Sequence, residues 1–233
     1  MNIACFRIHL NLTKKLLSKM GLLAESNIEA GHFEPSEESK KAGHGRDYYE
    51  LYNSVEKNYD YEFRLKDGSF FQMAYIEDGL RYAFLESVSD LMSFEDYYIA
   101  EGLSDEQVKS MGEEEYMVLR ECYEAEIDSL KQKLHPLYIR YDYTKRPEEH
   151  IPNIHSSSHF HFGWDNNSRI PCAKVLTPEA FVCFSIKMYS PSKWKDMLEK
   201  EIITADDYTF KKLCEDIPSN LWDNKELRDL YMS

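Results

Sequence analysis

The sequence predicts an α+β protein of one domain, residues 1–233, with a mainly antiparallel sheet of about five strands and helices packed on one side. Three observations carry this reading. Around Asp67-Gly68 and Asp78-Gly79, dipeptides that close tight hairpins, the flanking segments have the composition and two-residue alternation of strands. Across a long acidic stretch, apolar residues recur every three or four positions, the period of an α-helix. Strand and helix patterns are segregated along the chain, and no linker or internal repeat divides it.

The elements follow in order. Residues 2–24 read as a helix, with Leu10, Leu16, Leu17, Met20 and Leu23 set among lysines. From Ala24 to about Tyr48 the chain turns polar and passes through Gly43-His44-Gly45, a connection. The helix 1–24 and the connection 25–50 are expected at the periphery of the domain. Tyr59, Tyr61, Phe63 and Leu65 alternate with charged residues and predict a first strand. Phe70–Ile76 and Leu80–Leu85 complete a three-strand meander. Residues 93–134 are mostly helical. Tyr116, Leu119, Tyr123, Ile127, Leu130 and Leu134 lie on one face, with Glu114, Glu121, Glu124 and Asp128 opposite, and Pro136 ends the run. Strands are predicted at Leu137–Tyr143 and Ser158–Trp164, with a shorter one within Arg169–Val175. Thr177-Pro178-Glu179 opens a helix, with an N-cap, a proline at the first position and an acid in the first turn. Ala180–Tyr189 is apolar nearly all round and so is expected to be buried. Short helices fill 192–233.

Composition narrows the function classes. A net charge of −14 excludes sequence-independent binding to DNA or RNA at large, which needs an excess of Lys and Arg, and it suits a basic partner protein. The five cysteines, Cys5, Cys122, Cys172, Cys183 and Cys214, are odd in number and contain no C-x-x-C pair, the pattern of reduced thiols in a cytoplasmic protein. No signal-peptide pattern is visible. No apolar run approaches the roughly 18 residues of a membrane span, so no membrane role is expected.

Residues 131–174 stand apart. They hold seven Lys or Arg against four Asp or Glu, and five of the eight histidines. On the predicted strand 137–143, Tyr138, Arg140 and Asp142 share a face. On 158–164, His159, His161 and Gly163 share another, opposite Phe160, Phe162 and Trp164. If the two strands pair, Arg140, Asp142, His159 and His161 lie together, and Gly163 leaves room for a ligand.

Three chemistries fit that face. In the first, a phosphodiester, most plausibly RNA, is cleaved without metal: one histidine is general base, the other general acid, Arg140 stabilises the phosphorane and Asp142 orients a histidine. Arg169, His155 and Tyr138 would support the ligand. In the second, His159, His161 and Asp142 or His155 hold zinc, manganese or iron. In the third, the face is non-catalytic and the acidic surface docks on a basic partner protein. The sequence itself specifies no cofactor. Each residue also has a plain structural use: Arg140 and Asp142 as an ion pair, the histidines as hydrogen-bonded core groups, the aromatics as cross-strand packing.

The string Tyr138, Arg140-Tyr141-Asp142-Tyr143, His155, His159-Phe160-His161-Phe162-Gly163, Arg169 and Thr177-Pro178-Glu179-Ala180-Phe181 resembles an uncharacterised bacterial family, the domain of unknown function numbered 2290. The similarity is strongest over Leu137–Trp194 and extends over most of the chain. The resemblance implies a bacterial source and a single domain. It implies no reaction and brings no catalytic residues.

Overall fold

The computed structural model describes residues 1–28, 34–45, 47–88, 94–129, 133, 135–164, 169–204, 214–226 and 231–232. Seven strands form one antiparallel sheet in sequence order: β1 (Leu23–Ser26), β2 (Phe63–Leu65), β3 (Phe70–Ile76), β4 (Gly79–Leu85), β5 (Tyr138–Thr144), β6 (Ser158–Phe162) and β7 (Ile170–Pro171). The α+β class and antiparallel sheet are as the sequence predicts, but the sheet has seven strands rather than about five. Both edge strands are short: β1 was not expected, while β7 is the shorter strand expected within Arg169–Val175.

β1 arises because the first helix stops early. Helix α1 (Ile3–Lys19) ends where Gly21 takes φ +71° and the Leu22 N–H returns to Leu17 O, a left-handed cap that only glycine adopts cheaply. Leu23, read as helical, therefore opens β1. The first predicted strand also starts late. Helix α3 (Tyr48–Lys57) is closed by Tyr59 at φ +53° and by Asp60 N–H on Val55 O, so Tyr59 and Tyr61 belong to a helix cap and its exit. The predicted polar connection contains α2 (Glu37–Gly43) and leads into α3.

The sheet has two apolar faces. On one, Phe71, Met73, Leu80, Tyr82, Phe84, Tyr141 and Phe160 pack under α1 and α7 (Pro178–Tyr189), with α8 (Pro191–Glu199) beside them. Thr177 caps α7 by accepting from the Ala180 N–H, and the ring of Phe181 meets those of Phe71, Tyr82 and Phe160. The expectation of a buried helix here holds. The N-terminal helix is not peripheral: Phe6, Leu10, Leu16 and Leu17 are all buried in this core. On the second face a smaller cluster joins α2 and α3 to the sheet through Tyr48, Leu51, Tyr52, Val55, Phe70, Leu85 and Tyr138, so helices lie against both faces. A two-stranded sheet of β8 (Lys174–Val175) and β9 (Glu215–Asp216) lies apart.

Between β4 and β5 the chain forms α4 (Phe94–Ala100), α5 (Asp105–Ser110) and α6 (Glu113–Ser129). Phe94 holds this arm together by edge contacts with Tyr98, Tyr116 and Tyr123 and by the Arg120 guanidinium over its ring. Glu114, Glu121 and Glu124 are exposed as expected, but so are Tyr116, Met117 and Val118. Leu130 and Leu134, read as part of the same apolar face, lie outside the described residues, as does the side chain of Ile127. Among the described residues, no helix is long and apolar enough to cross a membrane.

Candidate functional site

Strand register assembles the site. β5 pairs antiparallel with β6, setting Arg140 opposite His161 and Asp142 opposite His159. β4 pairs with β5 on the other side, setting Arg81 opposite Asp142. Gly79, at the start of β4, is required by this pairing: a Cβ there would lie 1.9 Å from the Tyr143 carbonyl oxygen.

The four residues predicted to share a face do so, around the Asp142 carboxylate. Arg81 Nε donates to Oδ1 at 3.0 Å and Arg140 Nε to Oδ2 at 2.9 Å. His161 Nε2 is 3.5 Å and His159 Nε2 3.8 Å from the same Oδ2. The two imidazoles meet Nε2 to Nε2 at 3.1 Å. His159 Nδ1 is 2.6 Å from the Ser156 carbonyl oxygen. A carbonyl can only accept, so Nδ1 carries the hydrogen and Nε2 of the neutral ring presents a bare lone pair toward His161 and Asp142.

The electrostatics follow from burial and these contacts. His159 and His161 are 2% and 3% exposed. Burial lowers the His159 pKa from 6.5 to about 4, against the pull of Asp142, so this ring is neutral at neutral pH. Burial also disfavours the charged form of Asp142, but the His161 hydrogen bond and the Arg140 and Arg81 guanidiniums outweigh it and hold the carboxyl below its ordinary 3.8.

Asp142 and His159 of the cluster line a cavity of about 490 Å³, where the acids Glu77, Asp78 and Glu149 also lie. Its walls include Arg81, Arg140, Arg146 and Arg169 together with His155, His159 and Asp142. His155 is held by Nδ1 donating to Glu149 O at 2.6 Å, with its ring 5.2 Å from that of His159. Arg146 donates through Nε to Asp78 and through Nη1 to Glu149.

Tyr138, expected to contact a ligand, is instead buried on the second face, edge-on to Tyr48 and Trp164. Trp164 is there because Gly163 takes φ +82° and reverses the alternation of β6. The expectation that Trp164 follows Phe160 and Phe162 therefore fails. The role of Gly163 is this left-handed turn rather than clearance, since an added Cβ would meet nothing within 4 Å.

Sequence reasoning missed Arg81, Arg146 and the Ser156 carbonyl. Arg81 had a signal: it is the single charge in the otherwise apolar strand Gly79–Leu85. The two central histidines also do not suit the expected acid–base split. A general base and a general acid must each stand within about 3 Å of oxygens on opposite sides of phosphorus, and two nitrogens 3.1 Å apart cannot straddle it.

Fold and site thus define an α+β protein whose antiparallel sheet carries a His–His–Asp cluster beside a cavity lined by four arginines and four acids. The chain belongs to the family described as uncharacterized conserved protein (DUF2290), whose model matches residues 22–221. Neither a curated protein nor a solved structure matches it.

Proposed function

We propose that this protein is a hydrolase that cleaves a phosphodiester, with short or structured RNA as the substrate class. One observation carries the reading: four of the chain's nine arginines, Arg81, Arg140, Arg146 and Arg169, line a single cavity above His159 and Asp142. Arginine matches phosphate oxygens with a planar fork of donors. In this reading Arg140 and Arg169 neutralise the charge gathering on the phosphoryl oxygens, and His155 supports the ligand from the cavity wall. The His159–His161–Asp142 cluster acts as one unit, activating water on one side of phosphorus. The water oxygen forms the new bond to phosphorus, the bond to the leaving oxygen breaks, and one water proton ends on that oxygen. The overall charge of −14 restricts the substrate to what fits the cavity rather than a long duplex. None of the five cysteines is paired with another, which is consistent with the cytoplasmic location of this reading.

The test is cleavage of end-labelled RNA oligonucleotides and of bis(p-nitrophenyl) phosphate, compared with Arg140→Met and Arg169→Met. Losses of roughly 100-fold, on the scale of one transition-state contact, are expected in each variant. No cleavage of either substrate by the folded, zinc-supplemented protein would refute the proposal.

A second reading rests on a different observation. Residues 94–129 hold twelve acids against two bases, a net −10 of the total −14, and expose Ile99, Met117 and Val118. This arm would dock a basic partner protein, with charge setting the encounter and the apolar residues the contact. Salt-sensitive binding of a Lys-rich amphipathic peptide, lost in Met117→Glu/Val118→Glu, is the expected result. Equal binding by the variant would remove this reading.

A further inference from the structure

We infer that His159, His161 and Asp142 form a mononuclear site for a divalent transition metal, a tetrahedral zinc-type site with its fourth position open to the arginine-lined cavity. Among the described residues, these three form a group of His, Cys, Asp or Glu whose ligand atoms all lie within 4.8 Å of one another. Their separations of 3.1, 3.5 and 3.8 Å define a triangle whose corners lie about 2.0 Å from a common centre, matching zinc bonds of roughly 2.0–2.2 Å to His and carboxylate. An ion slightly above that plane has three ligands on one side and an open position on the other.

The surroundings favour ligation over a simple hydrogen-bond network. His159 donates from Nδ1 to the Ser156 carbonyl, the outer contact that fixes the tautomer of a metal-binding imidazole and turns Nε2 inward. Asp142 is likewise held from behind, by Arg81 on Oδ1 and Arg140 on Oδ2. All three ligands come from adjacent, paired strands, so their positions are set by sheet register rather than by a loop. Two imidazoles and one carboxylate suit zinc, iron(II) or manganese; the mean spacing of about 3.5 Å is that of tetrahedral rather than octahedral edges at these bond lengths, which selects zinc. Arg81 and Arg140 offset the single ligand charge, so the site binds its ion less tightly than an all-acidic one would. The same cations face the cavity where a metal-bound phosphate would lie.

This inference deepens the proposed hydrolysis, yet the two can fail separately. The experiment is equilibrium dialysis of chelator-stripped protein against ZnCl2, read by elemental mass spectrometry. Wild type, His161→Gln and Asp142→Asn are run in parallel, with circular dichroism to check the fold. One zinc per chain is expected in wild type, with at least 100-fold weaker binding in His161→Gln and Asp142→Asn. Cobalt loading of wild type needs no variant and should give the intense visible bands of a tetrahedral site. Less than one-tenth equivalent of zinc in folded wild type, a pale octahedral cobalt spectrum, or wild-type affinity in folded variants would overturn the inference. Stoichiometric iron or manganese in place of zinc would overturn the choice of ion. Phosphodiester cleavage by protein that binds no zinc would remove the metal while leaving the hydrolase. Stoichiometric zinc without any cleavage would do the reverse.

Discussion

Glu62 is buried, 7% exposed, between β1 and β3, and accepts a hydrogen bond from the Met73 backbone N–H. Burial raises its pKa from 4.5 to about 8, so at neutral pH the folded protein holds it as a neutral acid. The folded pKa lies above the unfolded one, so the stability it contributes is fully present below pH 4.5 and is lost as pH rises through 8. At 1.36 kcal/mol per unit, ionisation of the unfolded state costs the fold on the order of 4 kcal/mol by pH 8. Glu62→Gln removes that loss: the amide oxygen keeps the Met73 bond and the NH2 group replaces the acid hydroxyl. The assay is urea denaturation of both proteins from pH 5 to 9. His9, whose hydrogen bond to Glu179 raises its own pKa, titrates in both proteins and drops out of the difference. The stability difference between Glu62→Gln and wild type should grow by about 1 kcal/mol per pH unit between 5 and 8, then level off. A difference independent of pH would refute the argument.

Other perturbations test separate parts of the structure. The Tyr141 hydroxyl lies 2.9 Å from Ser158 Oγ and accepts from the Leu176 N–H at 3.1 Å; Tyr141→Phe leaves buried partners unmet and should cost about 1–3 kcal/mol in denaturant titration. Gly79→Ala sets a methyl against the Tyr143 carbonyl and should destabilise the start of β4 by several kcal/mol, at about the upper end for single substitutions, seen as a large fall in Tm. In zinc-stripped protein His159 has a folded pKa below its unfolded value, so its contribution is present above pH 6.5 and lost as pH falls toward 4. His159→Gln should flatten that part of the stability profile.

The strands that build the site were legible because a two-residue period assigns every side chain to a face. That is why Arg140, Asp142, His159 and His161 could be grouped before any register was known. Arg81 could not be joined to them, since its contact with Asp142 depends on which residue of β4 faces which residue of β5. Where alternation failed, a backbone angle was responsible: Gly163 turned Trp164 to the other face, Gly21 ended α1 before hydropathy implied, and Tyr59 closed α3 where a strand was expected to begin. The arm shows a different limit. Periodicity correctly marked α6 as a helix with Tyr116 and Tyr123 on one side, but period alone cannot say how much of that side is covered. Phe94 covers part of it, and Tyr116 stays 37% exposed. The charge excess in 131–174 pointed to the right strands because arginine and histidine gather there. Arg81, which lies outside that window, still reaches the same cavity.

The central claim is that one cavity joins a metal-type cluster to arginines for phosphodiester hydrolysis. It is tested most directly by cleavage of a labelled RNA oligonucleotide, with zinc-loaded wild type and folded His161→Gln assayed side by side. The account predicts cleavage by wild type and a loss of at least 100-fold in the variant, with the circular dichroism spectra superimposable. Equal cleavage by both proteins, or none by zinc-loaded wild type on RNA or on bis(p-nitrophenyl) phosphate, would contradict it.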